Sequence, residues 1–398
     1  MNKKEIKKIG VMTGGGDCPG LNAVIAAVAK TAVTKYGLEV VGIKNGYRGL
    51  YLGEKQIVRL DAAEVGNIIA RGGTILYNSN KDNLFKYPRR DKNGIIKGAD
   101  GKPIYDNLSQ VAVDNLNRMG IDALVIIGGD GTLTSGRDFA RMGVPVIGVP
   151  KTIDNDLNLT DTTFGFDTAV SRCVEAIKCI NTTGLAHHRI MVLEVMGREA
   201  GHIALTTGIA SAADVILIPE IAYDIEKVAA KAKAALKSER QYGLIVVAEG
   251  VSLPTGGKTG VETDLSPDGF KFKGAGDAVA EAVQDILNNN RDENGYAISD
   301  TIMDVEARCT VLGHVQRGGT PTAYDRILCA RYGKKAVEAL MDDGKVSDMV
   351  ALRGGKLVTV PLEDVIPSND MHSNFRPVDV NGELMELART LGISFGDR

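Results

Sequence analysis

Apolar runs of four to eight residues, without the every-second-residue alternation of half-exposed strands, punctuate this chain. They are Lys8 to Thr13 (KIGVMT), Leu38 to Ile43, Ala123 to Ile127 (ALVII), Val144 to Val149 (VPVIGV), Arg189 to Met196 (RIMVLEVM), Val215 to Ile218 and Gly243 to Ala248 (GLIVVA). Continuous runs of this kind predict strands buried on both faces, as in parallel sheets flanked by helices. An Ala/Val-rich helix is predicted from about Leu21, so the first fifty residues read strand, loop, helix, strand and open a parallel sheet. Right-handed crossovers then gather the strand-to-helix loops on one rim. The N-terminal half reads as a doubly wound domain, and a second α/β unit begins near residue 165. Two polar stretches break the pattern. Phe85 to Asn107 predicts an exposed flap or hairpin, and Ser252 to Gly276 a surface insertion.

Length agrees with two domains of about 100–200 residues each. Composition narrows the function classes. Hydrophobic residues make up 44% of the chain, yet no apolar run approaches the roughly 18 residues of a membrane span, so none is expected. The basic start, Met1 to Lys8, runs into a strand-like segment and glycines instead of a leader-type apolar region, which points to the cytoplasm. A net charge of −3 gives no overall attraction for nucleic acid or an anionic membrane, so an anionic ligand needs local arginines. The five cysteines, Cys18, Cys173, Cys179, Cys309 and Cys329, form no C-x-x-C and are expected to be reduced and non-catalytic.

Two acidic turns follow directly on apolar runs: Gly128-Gly129-Asp130-Gly131-Thr132 and Pro150-Lys151-Thr152-Ile153-Asp154-Asn155-Asp156. Both stand at strand C-termini, where open α/β sheets bind ligands. Asp130 between glycines suits hydrated Mg²⁺ with amides facing phosphate oxygens, against the bland alternative of a helix-capping Asp. In the second turn Lys151 favours ionised carboxylates at Asp154 and Asp156 and offsets developing phosphoryl charge; a plain solvated turn is the alternative. A metal-and-phosphate turn beside a carboxylate base is what phosphoryl transfer needs. Gly14-Gly15-Gly16-Asp17 is a further candidate phosphate loop, weak alone, and there is no Walker A string. Arg189, Arg198, Arg308 and Arg317 stand beside glycines or strand ends, a placement that suggests bidentate grips on phosphate, although for any one of them taken alone a surface ion pair is the commoner role. His187, His188 and His202 lack zinc-ligand spacing, so zinc is not expected.

Seven strings in order, GGGDCPGLN, NGYRGL, GGDGT, PKTIDND, MGREAGH, VAEG and LGHVQRGG, resemble the phosphofructokinase family from Ile9 to about Asp364. The resemblance implies two doubly wound, Rossmann-like α/β domains with the active site in the cleft. The donor (ATP and Mg²⁺) domain would comprise residues 1–165 plus about 317–366, and the sugar-phosphate domain about 166–316 plus 367–398. It implies conversion of fructose 6-phosphate to fructose 1,6-bisphosphate in glycolysis. Asp154 is then the general base on the 1-hydroxyl, with Thr152, Asp156 and Lys151 around it and Arg198 on the transferring phosphoryl group. Gly15, Gly16, Tyr47, Asn80, Lys81, Gly129, Asp130, Gly131 and Thr132 are implied around the donor, Asp130 holding the metal. Met196, Gly197, Glu249, His314 and Arg317 are implied against the sugar phosphate. Arg189 and Arg308 come from a neighbouring subunit in this family, which implies a homo-oligomer, a tetramer or a dimer.

The donor reading turns on two positions. In the family Gly at 131 leaves room for the α-phosphate of ATP, whereas Lys at 151 accompanies pyrophosphate; the combination resembles a mixed subgroup that largely uses ATP. ATP is the expected donor and pyrophosphate the alternative. Asn78-Ser79-Asn80-Lys81 replaces the family's usual arginine, and Ala26 and Asn181 replace basic effector-site residues, so control by ADP or phosphoenolpyruvate is not expected. Rival readings are sedoheptulose 7-phosphate as acceptor, a non-catalytic sugar-phosphate-binding subunit, and a GGDGT-type NAD or lipid kinase. The last gives no reason for the 150–156 turn or for Gly313 to Gly319.

Overall fold

The fully apolar runs become strands whose every residue is buried, among them Ala123–Gly128, Ile190–Val195 and Gly243–Ala248. The computed structural model describes residues 5–398 except 62, 64, 80, 81, 93, 253–264, 267, 268, 271–273, 290–303 and 369–373. The segment from 252 to 276, expected as a surface insertion, therefore lies largely outside the described residues.

In chain order, β1 (Lys8–Thr13) leads through the glycine loop to α1 (Leu21–Tyr36), followed by β2 (Glu39–Ile43), α2 (Gly46–Leu52) and β3 (Ile57–Arg59). The expected flap consists of two small hairpins. β4 (Tyr87–Pro88) pairs with β7 (Tyr105–Asp106), and β5 (Arg90–Asp91) with β6 (Gly94–Ile95). Next come α3 (Ser109–Arg118), β8 (Ala123–Gly128), α4 (Asp130–Arg141) and β9 (Val146–Pro150). The chain continues through α5 (Phe166–His187), β10 (Ile190–Val195), α6 (His202–Ala210), β11 (Val215–Leu217), α7 (Ile225–Leu236) and β12 (Gly243–Ala248). A short pair, β13 (Leu265–Ser266) and β14 (Gly269–Phe270), precedes α8 (Ala275–Asn289) and β15 (Ala307–Val311). The last elements are α9 (Ala323–Met341), β16 (Ser347–Arg353), β17 (Lys356–Pro361), α10 (Leu362–Val365) and α11 (Glu383–Thr390). None of the described helices is long and apolar enough to cross a membrane.

The chain divides into two units, the first of Met1–Thr152, Leu157–Gly165 and Arg317–Phe375, the second of Ile153–Asp156, Phe166–Gln316 and Arg376–Arg398. The first holds a seven-stranded sheet ordered β17-β16-β9-β8-β1-β2-β3. Its five central strands are parallel, but β17 and β3 run antiparallel at the two edges, which periodicity did not predict. The cause at β17 is local: Gly354 and Gly355, both at positive φ, join it to β16 by a two-residue turn, and so short a connection can only reverse direction. Register aligns Thr13 with Ile127 and Gly128 with Pro150, so the three glycine-rich or acidic turns leave the sheet at one rim.

The second unit holds a four-stranded, wholly parallel sheet ordered β11-β12-β10-β15. Val195 stands opposite Ala248, which sets Met196 and Glu249 side by side at the C-terminal rim. Arg189 lies at the other end of the same strand.

Candidate functional site

In the first unit, the turns after β1, β8 and β9 interlock through main-chain contacts. Gly14 N–H donates to Ile127 O at 2.9 Å and Lys151 N–H to Gly128 O at 3.1 Å. Thr132, in the first turn of α4, packs so closely on this crossing that a Cβ on Gly128 would collide with its side chain and one on Gly14 would stand 2.6 Å from its Oγ1. Asp130 and Gly131 open α4, with Gly129 at its N-cap, so the free N–H groups and positive end of the helix lie beside the glycine loop. Two cations reach that loop. Lys151 Nζ lies 3.3 Å from where a Gly15 Cβ would stand, and Arg317 Nη1 lies 2.9 Å from the same point on Gly16. Arg317 also donates to Asp17 O at 3.2 Å. Its contacts in this unit are thus with the phosphate-loop candidate. Lys151, Thr132 and Thr152 are buried, and Thr152 O accepts from Thr163 Oγ1 at 2.7 Å.

Tyr47 takes a supporting place. Its buried ring stacks on Phe139 at 5.6 Å between centroids, and its hydroxyl donates to Thr132 O at 2.7 Å, so it props the GGDGT turn from beneath. Burial raises its pKa well above the ordinary tyrosine value. Asn80 and Lys81 lie outside the described residues. Ser79 accepts the Gly15 N–H through its carbonyl at 3.4 Å and so borders the same loop.

In the second unit, Met196, Gly197, Arg198, Glu249 and His314 gather at the C-terminal rim. Arg198 N–H donates to Glu249 Oε1 at 3.0 Å, and Met196 N–H to Gln316 Oε1 at 3.2 Å. The Gly197–Arg198 turn is strained: φ is 144° at Gly197 and 54° at Arg198, and a Cβ on Gly197 would collide with Ala200 O. The strain presents the Arg198 side chain to solvent. Asp154 and Asn155 are buried in the same unit, with Asn155 left-handed at φ 54°. Asp156 O accepts the Arg376 N–H at 2.6 Å.

Arg189 and Arg308 stand apart from this group. Both pair with Glu306, Arg189 at 2.5 Å and Arg308 at 3.3 Å, at the N-terminal ends of β10 and β15. The six residues of β10 separate Arg189 from Met196, and seven residue steps span about 23 Å. One copy of the unit therefore cannot bring its own Arg189 to its own Arg198.

Four residues had no binding or catalytic role assigned from the sequence, although His202 lies in the MGREAGH string and Gln316 in LGHVQRGG. His202, at the start of α6, has a pKa lowered to about 4, first by burial and also by the Arg376 charge, with Asp154 acting weakly the other way. Arg376 and Gln316 reach the site by tertiary contact alone. Arg71 opens a loop that Asn22 Nδ2 holds through Arg71 O at 3.0 Å and whose Gly72 abuts Gly319, next to Arg317. The thiols of Cys18, Cys173 and Cys329 are buried and raised by desolvation, Cys173 to about 12. Among the described residues, no group of three His, Cys, Asp or Glu side chains is suited to a metal.

The family model for phosphofructokinase matches residues 8–340. The chain belongs to the phosphofructokinase family. It is 51% identical over 394 residues to the ATP-dependent 6-phosphofructokinase 2 of Clostridium perfringens, covering 98% of this chain and 99% of that relative. It is 43% identical to the pyrophosphate–fructose 6-phosphate 1-phosphotransferase of Streptomyces coelicolor, over 90% of this chain and 94% of that relative. Among solved structures, Pichia pastoris phosphofructokinase in the T-state superposes with a TM-score of 0.72 at 28% identity, over 92% of this chain. This chain spans only 36% of that longer one. The pyrophosphate-dependent phosphofructokinase of Nitrosospira multiformis, at 22% identity and TM-score 0.71, shares the fold.

Proposed function

We propose that this protein is an ATP-dependent 6-phosphofructokinase, transferring the γ-phosphoryl group of ATP to the 1-hydroxyl of fructose 6-phosphate. The observation that carries the reading is the Lys151-to-Asp156 segment, which runs from a cation at the glycine loop to a buried carboxylate within four residues. The 51% identity to a relative named for ATP supports the donor.

In this reading Gly15, Gly16 and the α4 N-terminus, with Gly129, Gly131 and Thr132, bind the donor phosphates, and Tyr47 holds their turn in shape; Asn80 and Lys81 are assigned to the donor on the family resemblance alone. Asp130, a single carboxylate at a helix N-terminus, fits an ion that keeps its waters and takes its other ligands from substrate phosphates, as Mg²⁺ does. When bound, Mg²⁺ neutralises charge on the donor phosphates. Asp154 accepts the proton of the 1-hydroxyl as its oxygen bonds to the γ-phosphorus and the bond to the ADP leaving oxygen breaks. Lys151 and Arg198 offset charge on the transferring group, while Thr152 and Asp156 fix the base. Met196, Gly197, Glu249, His314 and Arg317 bind the sugar phosphate. Arg189 and Arg308 grip the 6-phosphate of a second copy's substrate, so the working enzyme is a homo-oligomer, a tetramer or a dimer.

General-base assistance is worth about 10²–10⁴ in rate. Asp154→Ala should lose that much kcat with a smaller change in the fructose 6-phosphate KM. Formation of fructose 1,6-bisphosphate with Mg²⁺ and either ATP or pyrophosphate tests the whole reading. Turnover with pyrophosphate alone would make Lys151 the donor-selecting residue, and no turnover with either donor would end the assignment.

A further inference from the structure

The final stretch of the second unit returns to the base-bearing turn from more than two hundred residues away. Arg376 N–H donates to Asp156 O at 2.6 Å and its Nη2 donates to Asn155 O at 2.8 Å, so one residue takes up two consecutive carbonyls of the Asp154–Asp156 turn. That turn needs an outside hold, because Asn155 is left-handed and buried. The clamp is itself held. Arg376 O accepts from His202 Nε2 at 3.0 Å, and a carbonyl only accepts, so the Nε2 must carry the proton. Two residues on, Val378 N–H donates to Glu220 Oε1 at 2.8 Å, and the same carboxylate accepts the Gly201 N–H at 2.9 Å. Pro377 between them restricts the backbone and biases Arg376 to an extended conformation. The segment Arg376-Pro377-Val378 thus ties two turns to one another, the turn bearing Asp154 and the loop that runs from Arg198 to His202.

We propose that Arg376 is a positioning residue for the reaction, fixing the Asn155 and Asp156 peptides so that the Asp154 carboxylate meets the acceptor hydroxyl, with His202 as the support that holds Arg376. The inference rests on the kinase reading above. Nothing in the family strings contains Arg376; it is assigned by its bonds alone. Catalytic geometry is intolerant of small displacements, and a shift of about 1 Å in a base costs on the order of 10²-fold in rate. A residue acting through Asp154 should therefore change kcat while leaving the glycine-loop half of the site untouched.

The test compares Arg376→Ala and Arg376→Lys with wild-type enzyme in steady-state formation of fructose 1,6-bisphosphate from ATP and Mg²⁺. The expected result is a kcat reduced about 10- to 100-fold in Arg376→Ala, with the ATP KM within twofold of wild type. Guanidinium ion well below denaturing concentration should restore part of that loss. Arg376→Lys, which keeps the main-chain bond and the charge but not the fork, should lie between, and it serves alone if the alanine variant does not fold. The proposal is overturned if kcat stays within about threefold of wild type in both variants, or if kcat falls while both KM values rise with no guanidinium rescue. Wild-type enzyme that forms no product with either donor would instead remove the kinase reading, and this inference with it.

Discussion

Replacing His202 by Gln should flatten the acid side of this protein's stability profile. The ring is buried, and desolvation lowers its pKa to about 4 against the upward pull of its hydrogen bond to Arg376 O; the Arg376 charge lowers it further and Asp154 raises it. In the unfolded chain the group titrates near 6.5. Below that value the unfolded state binds a proton that the folded state refuses, so stability falls as pH falls, through the window from 6.5 down to 4. The full difference amounts to about 3 kcal/mol, and about 2 kcal/mol of it is already lost at pH 5. Glutamine keeps an N–H for Arg376 O but does not titrate. Urea unfolding of wild type and His202→Gln at pH 7.5, 6.5, 5.5 and 5.0 isolates the term, since every other titrating group is common to both. The gap between the two proteins should shift by about 2 kcal/mol in favour of the variant between pH 7.5 and 5. Parallel profiles would mean that His202 takes up its proton as readily in the fold as in the unfolded chain, and the depressed pKa would have to be abandoned although the bond to Arg376 O would stand.

Subunit complementation tests the distant arginines. Arg189→Ala and Asp154→Ala, each poorly active alone, should recover activity when co-expressed, because a mixed oligomer contains sites with both groups intact; no recovery would place Arg189 outside the site. Tyr47→Phe removes the bond to Thr132 O and should cost about 1 kcal/mol in stability with little change in the ATP KM. A raised KM at unchanged stability would instead put the Tyr47 hydroxyl on the nucleotide. Titration of the native protein with a thiol-specific disulfide reagent should label exposed Cys179 first and leave Cys18, Cys173 and Cys329 unreacted until unfolding, as their buried, raised thiols require.

The strands were legible where burial was complete. Lys8–Thr13 and Gly243–Ala248 have the limits that their apolar runs imply, because a strand covered on both faces has no polar position to blur its edges. Arg189 shows where that signal stops: it was read into the strand, but the ladder begins at Ile190 and leaves the arginine at the rim beside Glu306. β17 escaped because its residues are only partly buried and its direction is decided by two glycines, a fact of turn geometry that apolar periodicity does not carry. The same division runs through the candidate site. Asp130, Lys151 and Asp154 stand out in the sequence as candidates because they lie in turns at fixed spacing after a strand. Arg376 does not, for its work is done on carbonyl oxygens that every residue has, and no side-chain pattern marks which carbonyl a distant arginine will find. Groups that hold a candidate site in shape come from along the whole fold, Tyr47 beneath the GGDGT turn, His202 and Glu220 in the second unit, and Arg376 near the end of the chain.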